Sequence, residues 1–600
     1  MSEIGAEETG LGKTADWGLT KRLVSYLYQE PRLFIFASIM YPLNALAIIV
    51  PPLLMQKILD DAIPEKDLGA VIWLSAAYLG ALAIEFLTGF TSVVAMGKLG
   101  QRALVRLRAQ LFRHVQRLPS SFYDRNPIGR VLTRMTNDID SLSELFATGA
   151  ITIIADVFTI VGVVTMMLTL DVGLTLWGFL VVPPLVLLAA VFQRYARTAF
   201  REIRRQLARI NAYLSEHLTG MAIVQVFRQE ERTAKEFEEL NQEYLRANQS
   251  AITFDALLFS IVEAIGTAAI AVIIWFGAPK LAVGAVGAGT LVAFMQYIRR
   301  FFIPVRDLSQ KYTVLQSAFA ASERIFSLLD EPQTIRSAAG ATDHGEMKES
   351  IALDRVSFAY AEQPKEQDYV LRDVSFTVRR GEHVALVGPT GSGKTTILKL
   401  LNRFYEVKEG AVRVDGVDIR SLDLDALRRL FAVVLQDVYL FSGTIMDNLR
   451  FGDHVNDDAV RRAARAVQAE RFIERLPLGY ATQVRELGAN FSGGERQLLA
   501  FARALAFDPQ ILILDEATSS VDSETEAHIQ AALDVLMRDR TAIIVAHRLS
   551  TIRKADRILV LQDGRIVQEG NHDALVAVPG LYQDLVEHQY GAEEERVRVS

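Results

Sequence analysis

The sequence predicts a multi-domain chain, in which an all-α bundle of six membrane-spanning helices with long helical extensions precedes an α/β domain. Three observations support this fold class. Apolar stretches crowd the first half of the 600 residues, whereas the chain after about Glu331 has the composition of an ordinary globular domain. In that second part, a glycine-rich loop stands between a buried-strand pattern and a helical pattern. A chain of this length is also too long for one compact core.

Composition bounds the class of protein. Half of the residues are hydrophobic and the mean hydropathy is +0.20, which is high for a soluble protein and low for one embedded wholly in lipid. No cysteine is present, which excludes disulfides, thiolate nucleophiles and thiolate metal sites. The net charge of −7 gives no indication of a nucleic-acid partner, and none is predicted. Residues 1–16 are acidic and lack the apolar region of a cleavable signal peptide.

Six apolar runs are long enough to cross about 30 Å of hydrocarbon. They cover residues 33–55, 68–95, 147–170, 172–192, 254–276 and 281–303. Asp171 and its neighbours join the third run to the fourth, and a short turn at Pro279 and Lys280 joins the fifth to the sixth, so tight hairpins are expected. The second-to-third and fourth-to-fifth connectors are longer, charged and helical in composition. Half of one connector would project ~40 Å beyond the membrane as a helix.

Charge asymmetry predicts the orientation. The connector between the second and third spans is rich in lysine and arginine from Lys98 to Arg134, whereas the opposite side carries little beyond Lys57, Lys66 and Lys280. The positive-inside rule then places both termini, both long connectors and the second domain in the cytoplasm. The chain is expected to be a multi-pass protein of the cell membrane, the inner membrane in bacteria.

The segment before the first span is amphipathic. Apolar residues such as Leu23 and Leu27 are mixed with the basic residues Lys21 and Arg22. This pattern is typical of a short helix that lies on the membrane surface, within a cytoplasmic N-terminus of residues 1–32. A packed soluble helix is the alternative, and the position beside a span favours the interface.

Three carboxylates fall inside the predicted spans: Glu85, Asp156 and Glu263. Ionisable groups in a bilayer are costly, so these side chains are candidates to face a cavity or to pair with one another. If they face a cavity, they would suit cationic amphipathic molecules. Interhelical hydrogen bonds, or positions wet enough to be near the interface, are the simpler interpretation.

Each long connector contains a break in its helical pattern. Pro119, Pro127 and Gly129 interrupt the first, and Gly220 interrupts the second. A short transverse helix is possible at each break, and an ordinary turn between helices is the alternative.

The glycine-rich loop has the pattern G-x-x-x-x-G-K-[ST] between a strand and a helix. Its glycines allow backbone amides to point at phosphate oxygens, and the helix N-terminus adds positive potential. Lys394 is expected to contact the β- and γ-phosphates of a nucleotide, and Thr395 to ligate Mg²⁺. The residues assigned to phosphate binding are Gly388, Pro389, Thr390, Gly391, Ser392, Gly393, Lys394, Thr395 and Thr396.

A second apolar strand pattern ends in two acidic residues, Asp515 and Glu516. Asp515 is predicted to reach the metal, and Glu516 stands where a general base or water-polarising group is needed. An acidic pair at the end of a strand is usually structural. Its occurrence downstream of the phosphate loop makes the catalytic interpretation strong.

Residues 490–497, with the sequence Asn-Phe-Ser-Gly-Gly-Glu-Arg-Gln, resemble the signature sequence of the ATP-binding cassette (ABC) proteins. The hydroxyl of Ser492, the amides of Gly493 and Gly494 and the following helix N-terminus form a second anion-binding surface. In that family this loop closes on the γ-phosphate held by a partner domain. The resemblance therefore implies two nucleotide-binding domains with ATP sandwiched between them.

Further residues resemble family elements in the expected order. Tyr360 resembles the aromatic residue that stacks on adenine. Gln436 resembles the glutamine that reaches Mg²⁺ and the attacking water, residues 519–522 resemble the D-loop that ends in Asp522, and His547 resembles the switch histidine on the γ-phosphate.

The whole chain resembles an exporter-type half-transporter of this superfamily. The resemblance implies a cassette with an antiparallel β subdomain and a helical signature subdomain. The expected domains are the transmembrane region 33–330, a linker 331–350, the cassette 351–590 and a charged tail 591–600. By the same resemblance, residues 119–135 and 219–232 would be coupling helices that dock on the cassettes, and residues 485–488 would sense that contact.

The implied function is ATP-hydrolysis-driven export of a hydrophobic or amphipathic substrate, a drug-like molecule or a lipid, across the bilayer by alternating access. Glu516 and His547 would be catalytic, with ATP and Mg²⁺ as cofactors. The partner is a second half-transporter. A homodimer fits the intact Lys394, Glu516 and His547, while the Ser-Ser-Val-Asp form of residues 519–522 suggests a heterodimer with a related subunit. Alternatives are a lipid or peptide flippase, an inward-running transporter, an ATP-gated channel and a soluble ABC ATPase.

Overall fold

The protein, a computed structural model, is described here over residues 17–148, 150–452, 455–515, 523–546 and 548–587. The chain divides into two compact units. One comprises Met1–Gln116 and Gly129–Asp330, and the other comprises Arg117–Ile128 and Glu331–Ser600. The first unit is helical and the second contains the described strands.

Helices dominate the chain before residue 330. One of them, the short helix α4, lies wholly in the second unit. Their bounds are α1 (Trp17–Tyr28), α2 (Pro31–Lys57), α3 (Leu68–Val115), α4 (Ser120–Arg125), α5 (Ile128–Met135), α6 (Asn137–Thr148), α7 (Ala150–Leu170), α8 (Val172–Phe179), α9 (Val182–Thr219), α10 (Met221–Val226), α11 (Glu230–Ala282) and α12 (Ala288–Leu329).

Four of the described helices are long and apolar enough to cross a membrane, by length and composition: Pro31–Ala62, Leu68–Val115, Thr152–Leu170 and Glu230–Ala282. They coincide with the predicted first, second, third and fifth spans. α3 and α11 contain 48 and 53 residues. At 1.5 Å per residue they are about 72 and 80 Å long, well beyond the thickness of a bilayer. The helical extensions predicted for the connectors are therefore confirmed.

The predicted fourth span, 172–192, is interrupted. α8 ends at Phe179, and α9 begins at Val182 with a proline in its first turn. Proline lacks an N–H and is tolerated in the first turn of a helix, so it starts a new helix here rather than continuing the old one. Asp171, the predicted joint between the third and fourth spans, caps α8 by accepting a 2.7 Å hydrogen bond from the amide of Leu174.

The predicted turn between the fifth and sixth spans is wrong. α11 continues through Pro279 to Ala282, and α12 begins at Ala288 rather than at Leu281. α11 ends just before Gly284, whose φ is +72°. Glycine adopts this left-handed conformation at the ends of many helices without the steric cost that other residues incur.

α1 packs against protein on its apolar side. Leu23 and Leu27 are buried. The hydroxyl of Tyr26 donates a 2.9 Å hydrogen bond to Gln110 of α3, and its ring stacks on Phe326 of α12 at 6.4 Å. These contacts are those of the packed helix that we weighed as the alternative. A location at the membrane interface stays a prediction.

The span carboxylates do not pair with one another, and for Glu85 and Asp156 the simpler interpretation, interhelical hydrogen bonds, is confirmed. Glu85 pairs with Arg300 of α12 at 3.2 Å, and Asp156 pairs with Lys311 of the same helix. Glu263 is exposed on α11. A nearby cation offsets the cost of a carboxylate in low dielectric more fully than a second carboxylate, which would repel it.

Twelve strands are described in the second unit. Their bounds are β1 (Ser350–Phe358), β2 (Leu371–Arg379), β3 (His383–Val387), β4 (Glu409–Val414), β5 (Val417–Asp418), β6 (Phe431–Val434), β7 (Gly443–Thr444), β8 (Gln483–Val484), β9 (Ile511–Asp515), β10 (Thr541–Val545), β11 (Arg557–Gln562) and β12 (Arg565–Gly570). The six-stranded sheet has the order β12-β11-β3-β10-β9-β6, and all its pairs except β11–β12 are parallel. The antiparallel sheet has the order β2-β1-β4-β5, and β7 pairs with β8.

Short helices surround these sheets. They are α13 (Lys394–Leu401), α14 (Leu424–Arg429), α15 (Ile445–Leu449), α16 (Asp457–Ala466), α17 (Glu470–Ile473), α18 (Gly493–Ala506), α19 (Ser523–Met537), α20 (Leu549–Arg553), α21 (His572–Val576) and α22 (Leu581–Leu585).

The central strands are buried on both faces, as parallel sheets require. On one face, Leu386 and Ile543 belong to a core that includes Phe376 of the antiparallel sheet. On the other face, Leu514 belongs to a core that includes Leu499 of α18. The predicted antiparallel β subdomain and helical signature subdomain are therefore both present, one on each side of the central sheet.

The segment predicted as the linker, 331–350, is anchored to the second unit at its end. The backbone amides of residues 348–350 donate hydrogen bonds of 2.7, 2.8 and 2.9 Å to the carboxylate of Asp415. His344 Nε2 lies 3.0 Å from the same carboxylate. Burial opposes the ionisation of Asp415, but these donors outweigh it and lower its pKa to about 2.

Candidate nucleotide-binding site

The central sheet brings the predicted site residues to one edge. Val545 of β10 pairs with Leu386 of β3 and with Asp515 of β9, and β6 lies parallel to β9 on its other side. The carboxyl ends of these four parallel strands therefore lie level, which is where ligands bind in open α/β sheets. The phosphate loop follows β3, Asp515 ends β9, and Gln436 follows β6 with an exposed side chain.

Two glycines of the phosphate loop are required by its geometry. Gly388 has a φ of +153°, and a Cβ there would lie 2.2 Å from the carbonyl oxygen of Leu561. Gly393 has a φ of +101°, and a Cβ there would lie 2.5 Å from Leu371. Only glycine fits both positions, because any side chain would clash and strain the backbone.

Ser392 provides a direct test of whether the loop fits an anion. Its side chain is buried, and its Oγ has no hydrogen-bond partner within the described residues. Buried hydroxyls are nearly always hydrogen-bonded in native proteins. A phosphate oxygen bound by the loop would give this hydroxyl an acceptor, so the loop fits a nucleotide phosphate.

Lys394 starts α13 and folds back over the loop. Its Nζ donates hydrogen bonds of 2.7 Å to the carbonyl of Gly388 and 3.0 Å to that of Pro389. Burial lowers the pKa of Lys394, and the negative charge of Asp515 opposes this effect. In the described part of the chain, no carboxylate is in hydrogen-bond contact with this ammonium, which is therefore placed at the loop to stabilise phosphate charge.

Tyr360 lies beside the loop with an exposed ring. Its side chain is 42% exposed, and its hydroxyl lies 3.0 Å from Oγ1 of Thr396. The ring is held edge-on by Phe358 at 5.0 Å and by Tyr405 at 5.3 Å. This arrangement leaves a face of the ring available for stacking on a base.

The residues predicted to hold a metal supply oxygen donors of three kinds: the hydroxyl of Thr395, the amide of Gln436 and the carboxylate of Asp515. Mg²⁺ prefers oxygen ligands and usually binds through one or two protein groups together with substrate phosphates. Within the described ranges, no group of three or more histidine, aspartate or glutamate residues forms a metal cage. The donor set therefore fits a magnesium ion held together with a nucleotide.

The signature loop begins α18 and forms a capping box. The amide and hydroxyl of Ser492 donate hydrogen bonds of 2.8 and 2.9 Å to the carboxylate of Glu495, whose amide donates back to Ser492 Oγ at 3.3 Å. In the described structure, these side-chain hydrogen bonds of Ser492 stay within the loop, and none reaches the phosphate loop. Gly493 and Gly494 follow in the first turn of the helix.

Two further residues of the signature loop have local structural roles. Glu495 closes the capping box. Phe491 is buried and packs near Phe472 with ring centroids 6.4 Å apart.

Three predicted site residues, Glu516, Asp522 and His547, lie outside the described residues. In the sequence, Glu516 is the residue after the end of β9, and His547 is two residues after the end of β10. Their assigned roles stay predictions.

Sequence reasoning missed two residues of this region, Asp124 and Tyr405. Asp124 lies in α4. Tyr405 follows α13, and its hydroxyl donates a hydrogen bond to the carboxylate of Asp124. The break predicted at residues 119–135 marked the segment, but no local pattern pairs an aspartate with a tyrosine so distant in sequence.

Helices long and apolar enough to cross a membrane, joined in one chain to an α/β domain with a phosphate loop, define the class: a membrane protein with a nucleotide-binding domain. Comparison with known proteins places it more closely. Residues 33–305 match the model of the ABC transporter transmembrane region, and residues 371–519 match the ABC transporter model. The chain belongs to the ABC transporter family and is an ATPase coupled to transport.

Similar proteins extend over nearly the whole chain. It is 39% identical over 581 residues to the uncharacterized ABC transporter ATP-binding protein YknV of Bacillus subtilis, covering 96% of each chain. It is 39% identical over 536 residues to the probable multidrug resistance protein YheH of the same organism, covering 88% of this chain and 78% of that one. It is 34% identical over 545 residues to an ATP-dependent lipid A-core flippase of Syntrophus aciditrophicus, covering 91% and 90%.

Proposed function

We propose that two half-transporters, each like this chain, form an exporter that uses ATP hydrolysis to move hydrophobic or amphipathic molecules across a membrane. The observation that carries the proposal is a phosphate loop whose buried Ser392 hydroxyl has no hydrogen-bond partner among the described residues, in one chain with helices long enough to span a bilayer. Relatives named as a probable multidrug resistance transporter and as a lipid A-core flippase support drug-like or lipid cargo. The proposed location is the bacterial inner membrane, with both termini cytoplasmic.

The nucleotide would bind at the edge of the central sheet. Adenine would stack on Tyr360, and the amides of the phosphate loop with Lys394 would hold the phosphates. Thr395, Gln436 and Asp515 would hold Mg²⁺, which when bound neutralises charge on the β- and γ-phosphates.

Hydrolysis would depend on two residues at the ends of neighbouring strands. Glu516 would polarise the attacking water, and His547 would hold that water in line with the γ-phosphate. Lys394 would stabilise the charge that develops on the phosphoryl oxygens in the transition state.

The second copy would complete each site. Ser492, Gly493 and Gly494 of one copy would face the γ-phosphate bound by the other, and Asp522 would lie at the same contact. Closure of the two ATP-binding domains would move the segments 119–135 and 219–232, and thereby open the helices to the other side of the membrane.

The first experiment is ATPase measurement on the chain purified alone and reconstituted in liposomes. Glu516→Gln should retain ATP binding and lower steady-state hydrolysis by ~100-fold or more, since general-base catalysis contributes about that much. Asp534→Asn, which neutralises an exposed carboxylate paired with Lys554, is the matched control and should hydrolyse ATP normally.

Near-wild-type activity of Glu516→Gln would reject its assigned role. A folded wild-type chain that binds but does not hydrolyse ATP alone would reject the homodimer in favour of pairing with a related subunit.

A further inference from the structure

A short segment of the first connector belongs with the ATP-binding domain. Arg117–Ile128, which contains α4, lies in the same compact unit as Glu331–Ser600. Phe122 of α4 is 2% exposed, so the helix is anchored by a buried ring. α3 ends just before this segment and α5 begins at its last residue, so α4 is joined through the chain to the helical unit on both sides.

Two side chains of α4 contact the ATP-binding domain by polar groups. Asp124 accepts a hydrogen bond from the hydroxyl of Tyr405. Arg125 pairs with Glu362. These contacts differ in burial: Tyr405 is 7% exposed, whereas the side chains of Arg125 and Glu362 are 52% and 79% exposed. A charge-assisted hydrogen bond from a buried donor is worth more than an exposed ion pair.

Tyr405 also contacts the proposed adenine-stacking residue. Its ring packs edge-on against Tyr360 at a centroid distance of 5.3 Å and an interplanar angle of 89°. Phe358 closes the cluster at 5.7 Å from Tyr405, and the Lys399 ammonium lies 5.5 and 5.7 Å from the centroids of Tyr360 and Tyr405. Burial and the neighbouring carboxylate raise the pKa of Tyr405, so its hydroxyl stays protonated and remains the donor.

The two tyrosines therefore form a continuous path of contacts. One end is the exposed ring of Tyr360, tied to the phosphate loop through Thr396. The other end is the hydroxyl of Tyr405 on Asp124. A base stacked on Tyr360 would restrict that ring, and an edge-packed neighbour in a buried cluster is then restricted as well.

We propose that Tyr405 is a positioning residue that reports adenine stacking on Tyr360 to α4 through its hydrogen bond to Asp124. This inference rests on the proposed function, which supplies ATP as the ligand. Binding of the base, separately from binding of the phosphates, then tightens α4 on the ATP-binding domain. Phosphates without a base occupy the loop but do not tighten α4 on the ATP-binding domain.

The test is hydrogen–deuterium exchange of residues 117–128 in the full-length chain in detergent, carrying Glu516→Gln to prevent hydrolysis. The ligands are ATP and inorganic tripolyphosphate, with protection of residues 388–396 as the internal measure of occupancy. At equal occupancy, ATP should slow exchange in 117–128 by about tenfold more than tripolyphosphate, a factor that one hydrogen bond to a charged group supplies.

Tyr405→Phe keeps the ring and removes the hydroxyl, so it should abolish the difference between the two ligands while leaving ATP protection of 388–396 intact. Asp124→Ala removes the acceptor from the other side and should do the same, and the double variant should add nothing further. Arg125→Gln, which breaks the exposed ion pair on the same helix, is the matched control and should keep the full difference.

The proposal is overturned if Tyr405→Phe and Asp124→Ala both keep the base-dependent protection, or if tripolyphosphate protects 117–128 as well as ATP does. If either variant fails to fold, the other decides. Absence of ATP protection at 388–396 in the parent chain would be a different failure, that of the proposed ATP site itself.

Discussion

The cations of α12 in the helical unit and the lysine of the phosphate loop in the ATP-binding unit are held in opposite ways. In the helical unit, cations along α12 are already paired with carboxylates on other helices. The pairs are Arg300 with Glu85, Lys311 with Asp156, and Arg324 with Asp138. In the ATP-binding unit, Lys394 hydrogen-bonds neutral carbonyl oxygens of its own loop. A charge that is already neutralised stabilises a structure, whereas a charge held by neutral acceptors is available for a ligand.

This difference changes how the span carboxylates are interpreted. Glu85 and Asp156 were candidates for a cargo cavity, and each is now paired with a cation of α12. A paired carboxylate attracts a cationic substrate less, because its field is largely cancelled. The pairs therefore favour a structural role, in which they hold α12 against the neighbouring helices. Variants of these residues and of Lys394 distinguish a role in stability from a role in ATP hydrolysis.

The largest effect is expected at Lys394. Lys394→Met should lower ATPase activity by ~100-fold or more, because the variant loses a cation that stabilises the transferred phosphoryl group. The melting temperature should change little, since within the described residues the ammonium bonds to carbonyl oxygens and to no carboxylate, and its burial lowers its pKa. ATPase assays and thermal unfolding in detergent measure both. A large fall in the melting temperature of Lys394→Met would show instead that this ammonium stabilises the folded state, as the paired cations of α12 are expected to do.

A large structural effect is expected at Arg300. Arg300→Met leaves Glu85 about a quarter exposed and without its cation, and should lower the free energy of unfolding by about 2–3 kcal/mol. Thermal and denaturant unfolding in detergent measure the loss.

Two variants serve as controls for this prediction. Arg300→Met with Glu85→Gln should regain most of the stability, because no charge is then left unpaired. Arg22→Met breaks a pair whose side chains are 43% and 59% exposed, and should cost less than ~1 kcal/mol. Equal losses for Arg300→Met and Arg22→Met would show that the pair on α12 has no special structural role.

An intermediate effect is expected where the linker is anchored. The pKa of Asp415 is lowered to about 2, so its ionised form stabilises the folded state. This stabilisation is complete above the ordinary carboxyl pKa of about 4 and is lost as the pH falls through about 2. Asp415→Asn should cost about 1–2 kcal/mol at neutral pH, after allowance for solvent screening, and should flatten stability between pH 4 and 2. Wild-type pH dependence in the variant would contradict the assignment.

Local sequence patterns predicted the parts of the fold that local forces determine. The phosphate loop was predictable because Gly388 and Gly393 satisfy conformations that their own backbone imposes. The long helix α3 was predictable because apolar residues recur at helical spacing along the first connector. The strand-end position of Asp515 followed from the apolar run before it, whereas Gln436 was assigned by its resemblance to the family's glutamine.

The parts that were missed depend on contacts between distant residues. Glu85 and Arg300 are 215 positions apart, and which face of each helix meets the other depends on packing that no single helix encodes. Tyr405 and Asp124 are separated by 281 positions. The turn was placed at Pro279 and Lys280, between two apolar runs, whereas α11 continues to Ala282 and the left-handed Gly284 lies just beyond its end.

The smallest effect is expected within the ATP-binding unit, at Glu495, whose carboxylate caps α18. Glu495→Gln should change stability by less than ~0.5 kcal/mol, because glutamine also completes a capping box with Ser492. Glu495→Ala, by contrast, leaves the amide and hydroxyl of Ser492 without their acceptor and should cost about 1 kcal/mol. Thermal unfolding of the two variants side by side measures the difference. If Glu495→Gln were as destabilising as Glu495→Ala, the negative charge of Glu495 rather than its hydrogen bonds would be stabilising α18. Its role would then resemble that of the paired carboxylates of the helical unit.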